Sequence, residues 1–303
     1  MFVEMKKVTI LMSTYNGETY LDEQLESIEA QKDVQTKILV RDDGSTDRTC
    51  DILDRWQQKA NLKWYRGENI GPARSFMDLL RQAGESCYYA FSDQDDYWLS
   101  DKLKVAVDKL ESYESRPALY FCQTELVDKN LNRVSSVIIH PRLTFGESLV
   151  YQFIGGCTMV MNQALRDIIL KYEPQYLSMH DVWIYDVAQA IGAHVVFDHI
   201  PHILYRQHGG NVTGQSTSVM TEWKHRTGRL VKRDLHSRSK VAQEIYTGYY
   251  DMMPEENKSI LSDFIAGKNY LRQRLRLFRD RRFRCSDRET YHNFQIAVLM
   301  NIY

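Results

Sequence analysis

The sequence predicts an α/β fold on a doubly wound, mostly parallel sheet, followed by a C-terminal helical extension. Three observations carry that prediction. Short apolar runs alternate with stretches of helical period through the first hundred residues. Small, polar or acidic residues gather directly after four of those runs. The rhythm changes near residue 117, and from residue 219 the chain reads as polar helix. Parallel strands need a crossover of a dozen or more residues, so regular strand–helix alternation implies a parallel sheet.

Taken in order, VTILMS (8–13) is a first strand, and GETYLDEQLESIEAQ (17–31) follows with Leu21, Leu25 and Ile28 at helical spacing. TKILVR (36–41) is a second strand, and TDRTCDILDRWQ (46–57) a second helix with Ile52, Leu53 and Trp56 inward. LKWYR (62–66) is the third strand. GPARSFMDLLRQAG (71–84) is the third helix, with Pro72 near its start and Gly84 past its end. SCYYAFS (86–92) is the fourth strand. SDKLKVAVDKLESY (100–113) is a helix that Ser100 can cap, with Leu103, Val107 and Leu110 on one face. Beyond it, ALYFCQTELVD (118–128) reads as one strand, GGCTMVMN (155–162) as another, and HDVWIYDVAQAIG (180–192) as a helix. HVVFDH (194–199) and PHILYRQH (201–208) read as late strands.

At 303 residues and 43% hydrophobic content the chain can bury one large domain, or one domain with an appendage. The net charge of -1 points to no nucleic acid or acidic partner as a whole. It hides a split: residues 221–303 carry 17 Lys+Arg against 10 Asp+Glu, and residues 1–220 carry 22 against 30. The five cysteines form no CxxC pair, which suits a reduced, cytoplasmic chain. The first apolar run is too short for a signal peptide, and no run of about 18 apolar residues spans a membrane.

In an open α/β sheet ligands bind beyond the carboxyl ends of the strands. Those ends carry Ser13-Thr14-Tyr15-Asn16-Gly17, then Arg41-Asp42-Asp43-Gly44-Ser45-Thr46-Asp47, then Gly67-Glu68-Asn69-Ile70-Gly71, then Ser92-Asp93-Gln94-Asp95-Asp96. One such end is a turn; four together mark a site. There is no GxGxxG after the first strand and no GxxxxGK[ST]. Three carboxylates at a strand mouth repel one another and are costly to desolvate, but Asp93 and Asp95 can place oxygens on a hard cation that bridges phosphates. Taken alone, the same acids are also what a helix N-terminus favours.

STYNG, RDDGSTDRT, ENIGPARSF and SDQDDYW, in this order and spacing, resemble family 2 glycosyltransferases over about residues 5–210. The SDQDDYW form is similar to bacterial enzymes that build rhamnose-containing surface polysaccharides. The resemblance implies a Rossmann-like, mostly parallel sheet of the glycosyltransferase A type. It implies a catalytic domain over 1–218 (nucleotide-sugar half 1–115, acceptor half 116–218) and a basic helical region over 219–303. It also implies roles. Thr14, Tyr15 and Asn16 lie in the nucleotide-binding first loop. Asp43, or its neighbour Asp42, meets the base, and Asn69 and Arg74 border the nucleotide sugar. Asp93 meets ribose or metal, Asp95 the metal (Mn2+ or Mg2+), and Asp96 supports those ligands from behind or helps position the donor sugar.

An inverting transfer needs one base to take the acceptor's hydroxyl proton. The resemblance puts it at Asp181, where relatives often have Glu-Asp and this chain has His180-Asp181; a plain helix cap is the alternative. Arg206 and His208 alternate near a strand end, so they share a face: Arg206 is expected on the diphosphate and His208 on the metal or a phosphate. Gly155 and Gly156 suggest a close backbone approach to sugar or acceptor, or a bulge. Trp98, Trp183 and His180 are expected at the sugar and acceptor, although tryptophans pack cores equally well.

LRQRLRLFRDRRFR (271–284) interleaves Arg with Leu271, Leu275 and Phe278, a pattern suited to an anionic membrane surface or to a helix or dimer contact. The expectation is therefore a metal-dependent, inverting transferase that takes a nucleoside diphosphate sugar, first dTDP-rhamnose, to a lipid-linked cell-surface polysaccharide. It would work peripherally on the inner face of a bacterial plasma membrane, where it could pair as a homodimer. A UDP-hexose transferase, or a non-catalytic nucleotide-sugar-binding scaffold, is the alternative.

Overall fold

The computed structural model describes residues 5–135, 138–207 and 236–303. Its main sheet has seven strands: β1 (Lys7–Thr14), β2 (Gln35–Asp42), β3 (Leu62–Arg66), β4 (Tyr88–Ser92), β6 (Ala118–Cys122), β9 (Val160–Asn162) and β10 (His194–Asp198). Their spatial order is β10-β6-β9-β4-β1-β2-β3. β1 pairs parallel with β2 and β4, β2 with β3, and β6 with β10. Among these seven, β9 alone runs antiparallel, wedged between β4 and β6. A smaller sheet of β5 (Tyr97–Trp98), β11 (Ile203–Arg206), β7 (Glu125–Val127) and β8 (Arg133–Ser135) stands beside it in that order.

The period of two along each strand builds two cores. In β4, Tyr88 and Ala90 face one side while Tyr89 and Phe91 face the other. The first side packs α1 (Leu21–Glu29), α2 (Thr49–Gln57) and α4 (Lys102–Leu110) through Leu25, Leu53 and Val107 respectively. The second packs α3 (Pro72–Gln82) and α7 (His180–Ala190) through Phe76, Leu80, Ile184 and Val187. Burying such side chains contributes about 1.5–3 kcal/mol each. All eleven residues of α7 are buried, so that helix has no solvent face.

The C-terminal helices close the second face. α8 (Ser237–Tyr249), α9 (Glu255–Asn269), α10 (Leu271–Arg279) and α11 (Arg288–Met300) share its core through Ile245, Phe264, Leu277 and Phe294. Two short helices, α5 (Phe145–Ser148) and α6 (Gln163–Ile169), complete the α-helices among the described residues. Buried Glu147 of α5 accepts from the amides of Arg142 and Leu143 and, at 2.7 Å, from that of Ser286, so it ties the extension to the body.

Three expectations about elements need correction. Residues 118–128 are two strands in different sheets, because the strand breaks at Gln123, whose amide donates to Asp198 O at 2.8 Å. Residues 155–162 are a 3-10 turn (Gly156–Thr158) followed by the three residues of β9. Ser100 does not cap α4; Asp101 precedes the helix, without a side-chain cap bond. Apart from these three, α10 buries Leu277 and leaves Leu271 and Leu275 exposed, an arrangement that fits a surface-facing Leu271–Leu275 side.

Candidate active site

The carboxyl ends of β1, β2, β3 and β4 lie along one rim, and hydrogen bonds knit their four loops together. Asn16, at φ 49°, donates its amide to Ser45 Oγ at 2.9 Å and accepts from Thr46 N at 2.8 Å. Gly17 N donates to Thr49 Oγ1 at 2.8 Å. Asp42 is buried; its carboxylate accepts from Thr14 Oγ1 at 3.2 Å and from the amides of Gly44 and Ser45 at 3.2 and 2.9 Å. Asp43 struts the second loop against the third: it pairs with Arg41 and accepts from Ile70 N at 3.1 Å and Gly71 N at 3.0 Å. Gln94 joins the fourth loop to the first, with two bonds to the backbone of Tyr15.

The acids gather where β4 ends. Asp93 is pushed up to about 7, first by burial and then by Asp95 and Asp181. Asp96 is raised well above the usual carboxylate range by burial, then by Asp93 and Asp95. Its Oδ1 accepts from Arg206 N at 3.2 Å, and its buried Oδ2 has no hydrogen-bond partner. Oxygens of Asp93 and Asp96 and the Sγ of Cys157 lie within 4.8 Å of one another. Burial holds the Cys157 thiol well above its ordinary pKa. Nearby Lys102 is buried with its Nζ 3.4 Å from the Trp98 ring centroid, and burial lowers it to about 8. Close, desolvated carboxylates with an orphaned oxygen fit a divalent cation, which would relieve their repulsion.

Asp181 opens α7 and faces the same cluster. Its Oδ2 accepts from Gly156 N at 3.0 Å and its Oδ1 from Val182 N at 2.8 Å. The turn at Gly156–Thr158 thus touches both groups: Gly156 orients Asp181, and Cys157 meets Asp93 and Asp96. A Cβ on Gly156 would lie 2.5 Å from His180 Nε2, so only glycine fits there. His180 packs between Phe76 and Phe91, at centroid distances of 4.0 and 5.1 Å, with both ring nitrogens buried and unpartnered. Burial lowers it to about 4, so the ring is neutral.

Thr14, Asp42, Asp43, Asp93, Asp95, Asp96, Gly156, His180 and Asp181 therefore belong to this rim or its support. Tyr15, Asn16, Asn69 and Arg74 lie exposed around it. Three expectations do not survive. Trp98 and Trp183 are each 1% exposed and pack in the core, Trp183 against Tyr172 and Tyr249, so neither ring is open to a sugar. Arg206 is also 1% exposed. Its guanidinium donates to Asp95 O at 2.9 Å and Lys129 O at 2.6 Å, pairs with Glu23 and lies over Tyr20, so it pins the acidic loop rather than reaching for a diphosphate. His208 lies outside the described residues. The sequence reading misses Gln94, Arg41 and Lys102 as parts of the site. Arg41 and Gln94 carry a signal only as members of RDDGS and SDQDDYW, and Lys102 carries none.

Comparison with known proteins identifies the family. Residues 9–169 match the model of the family described as Glycosyl transferase family 2. The chain is 31% identical over 233 residues to the dTDP-rhamnosyl transferase RfbG of Shigella flexneri, covering 70% of this chain and 77% of that one. It is 22% identical over 211 residues to the UDP-Glc:alpha-D-GlcNAc-diphosphoundecaprenol beta-1,3-glucosyltransferase WfaP of Escherichia coli, covering 69% and 80%. In fold it is similar to residues 1–349 of S. aureus TarS in complex with UDP-GlcNAc, with a TM-score of 0.57, 19% identity, and 98% and 93% of the two chains covered.

Proposed function

Because the chain belongs to glycosyl transferase family 2, we propose that it transfers a sugar from a nucleoside diphosphate donor to a hydroxyl of a growing surface glycan, with inversion at the anomeric carbon. The observation that carries this reading is the placement of Asp181, whose carboxylate is oriented by Gly156 N–H beside the Asp93–Asp96–Cys157 cluster. Asp181 takes the proton from the acceptor hydroxyl. The acceptor oxygen bonds to the anomeric carbon, and the bond from that carbon to the diphosphate oxygen breaks, its electron pair leaving with the nucleoside diphosphate. Asp93, Asp95 and Asp96 would hold Mn2+ or Mg2+, whose charge makes the diphosphate a better leaving group. The knitted first three loops receive the nucleotide.

The relative RfbG supports dTDP-rhamnose as the donor. WfaP and the UDP-GlcNAc complex of TarS support a UDP-hexose as the second choice. The printed acceptor of WfaP, a diphosphoundecaprenol-linked sugar, supports a lipid-linked acceptor. Among the described residues no helix is long and apolar enough to cross a membrane. The outward face of α10 carries Leu271 and Leu275 beside Arg272, Arg276 and Arg279, all exposed, which suits peripheral contact with an anionic leaflet.

Calorimetry with UDP, dTDP, GDP and CMP, each with and without Mn2+, tests the reading. Tight, cation-dependent binding of one nucleotide is expected. Binding of none would overturn the donor-site assignment.

A further inference from the structure

Of the three donor atoms gathered at the end of β4, two are oxygens and one is a sulfur. Oxygens of Asp93 and Asp96 and the Sγ of Cys157 lie within 4.8 Å of one another, and Asp95 is not in the set. Asp96 and Cys157 are 1% and 2% exposed, whereas Asp93 is partly open, so an ion can enter past Asp93. The buried Oδ2 of Asp96 has no hydrogen-bond partner, and leaving such an oxygen unpaired is costly. A cation beside it removes that cost.

Fixed backbone holds these donors. Cys157 sits in the 3-10 turn Gly156–Thr158. Thr158 N donates to Gly155 O at 3.0 Å, Met159 N to Gly156 O at 2.9 Å, and Thr158 Oγ1 to Gly155 O at 2.8 Å. Asp96 is held through Oδ1 by the Arg206 amide at 3.2 Å, and the Arg206 side chain fixes the same loop at Asp95 O at 2.9 Å. Donors fixed in this way lose little freedom on taking an ion. Buried Lys102 lies near Asp96 and Cys157 and offsets part of their charge.

The donor types decide which ion suits the set. Mg2+ wants oxygen ligands in near-ideal octahedra, and a thiolate is a poor partner for it. Zn2+ accepts thiolate sulfur at about 2.3 Å together with carboxylate oxygen at about 2.0–2.2 Å. We propose that Asp93, Asp96 and Cys157 form a site for a thiophilic divalent cation of the Zn2+ or Cd2+ class. It shares Asp93 with the hard ion expected at the donor diphosphate. On binding, the Cys157 S–H proton leaves to solvent and the sulfur bonds to the metal, with no change of oxidation state. The inference goes beyond the transferase reading, because it needs the three donors to converge and not the chain to turn over.

The test is titration of the full chain with Cd2+ alone, followed in the ultraviolet. A thiolate-to-cadmium charge-transfer band is expected, saturating at about one ion per chain. Zn2+ should displace the Cd2+ and remove the band, whereas about a hundredfold excess of Mg2+ should leave it. Loss of an outer partner of a metal ligand costs about 10–100-fold in affinity, and loss of a ligand costs at least as much. Cys157→Ser should therefore remove the band and weaken Zn2+ binding about 100-fold or more, with circular dichroism as the check of its fold. Cys87→Ser changes an exposed thiol and should keep both band and affinity. No band in the wild-type protein, a band that survives Cys157→Ser, or displacement by Mg2+ overturns the site. A band without Mn2+-dependent nucleotide binding keeps the site and overturns the donor-site reading; nucleotide binding without a band does the reverse.

Discussion

The side chain of Gln94 grips the backbone of Tyr15 from both sides: its Nε2 donates to the Tyr15 carbonyl at 3.0 Å, and its Oε1 accepts the Tyr15 N–H at 2.9 Å. The loop after β1 is thereby bound to the loop that carries Asp93 and Asp95. Gly17 shares the arrangement, since a Cβ there would lie 2.2 Å from Gln94 Oε1. Each bond contributes about 0.5–1.5 kcal/mol. Gln94→Ala should therefore weaken nucleotide binding about 5–30-fold and lower the melting temperature by only a few degrees. Calorimetry against the preferred nucleotide checks it, and an unaltered affinity would separate the clamp from the site.

Asp181→Asn keeps an oxygen for Gly156 N–H and removes the base. Donor affinity should stay within about threefold, and transfer should fall by about 10²–10⁴. A turnover assay with saturating donor checks it; a variant that still turns over at the wild-type rate would exclude Asp181 as the base.

Asp93 is raised to about 7 by burial, Asp95 and Asp181. In the unfolded chain it ionises near 4, so the unfolded state binds fewer protons between those values, and the fold loses stability as pH rises from about 4 to about 7. Asp93→Asn removes that loss. Because Asp93 is partly exposed, a gain of about 1–2 kcal/mol is expected at pH 8 without metal, together with loss of cation-dependent nucleotide binding. Thermal melts of both proteins at pH 8, without divalent cations, decide it. A lower melting temperature for the variant would show that the charge is not a burden on the fold.

His180 has the opposite sign. Burial lowers it to about 4, and in the unfolded chain it titrates near 6.5. The unfolded state therefore binds the extra proton first, and stability present above about 6.5 is lost as pH falls toward about 4, by at most about 3 kcal/mol. His180→Gln should flatten that part of the profile. Urea denaturation at pH 7 and pH 5 measures it, and an identical drop in both proteins would assign the acid sensitivity elsewhere.

The exposed arginines of α10 offer the membrane test. Each basic residue near an anionic surface contributes about 1 kcal/mol, or roughly fivefold in partitioning. Leu275→Glu combined with Arg276→Glu should cut cosedimentation with phosphatidylglycerol vesicles by about 25-fold or more. Equal sedimentation would free this helix from that role.

The parity of YYAFS is legible because strand side chains alternate, and the structure divides those residues between two cores as the period demands. The four strand-end loops are legible for the same reason: a parallel sheet brings like ends to one rim. β9 is not legible, because three residues carry too little pattern to separate a strand from the turn before it. Trp98, Trp183 and Arg206 show a different limit. Residue type says that a ring or a guanidinium will find partners, but only packing says whether those partners are sugar, phosphate or protein. The loop of Gln94 is legible but its role is not, since a glutamine in a loop is ordinary until Tyr15 is beside it.

The reversal of β9 also bears on how the base and the acids are spaced. A parallel strand delivers its tail to the rim, whereas β9 delivers its head, so the chain arriving from α5 passes over the site before it enters the sheet. That arriving arm ends in the turn whose Gly156 orients Asp181 and whose Cys157 meets Asp93 and Asp96, so the entry of one reversed strand sets the spacing between the base and the acids.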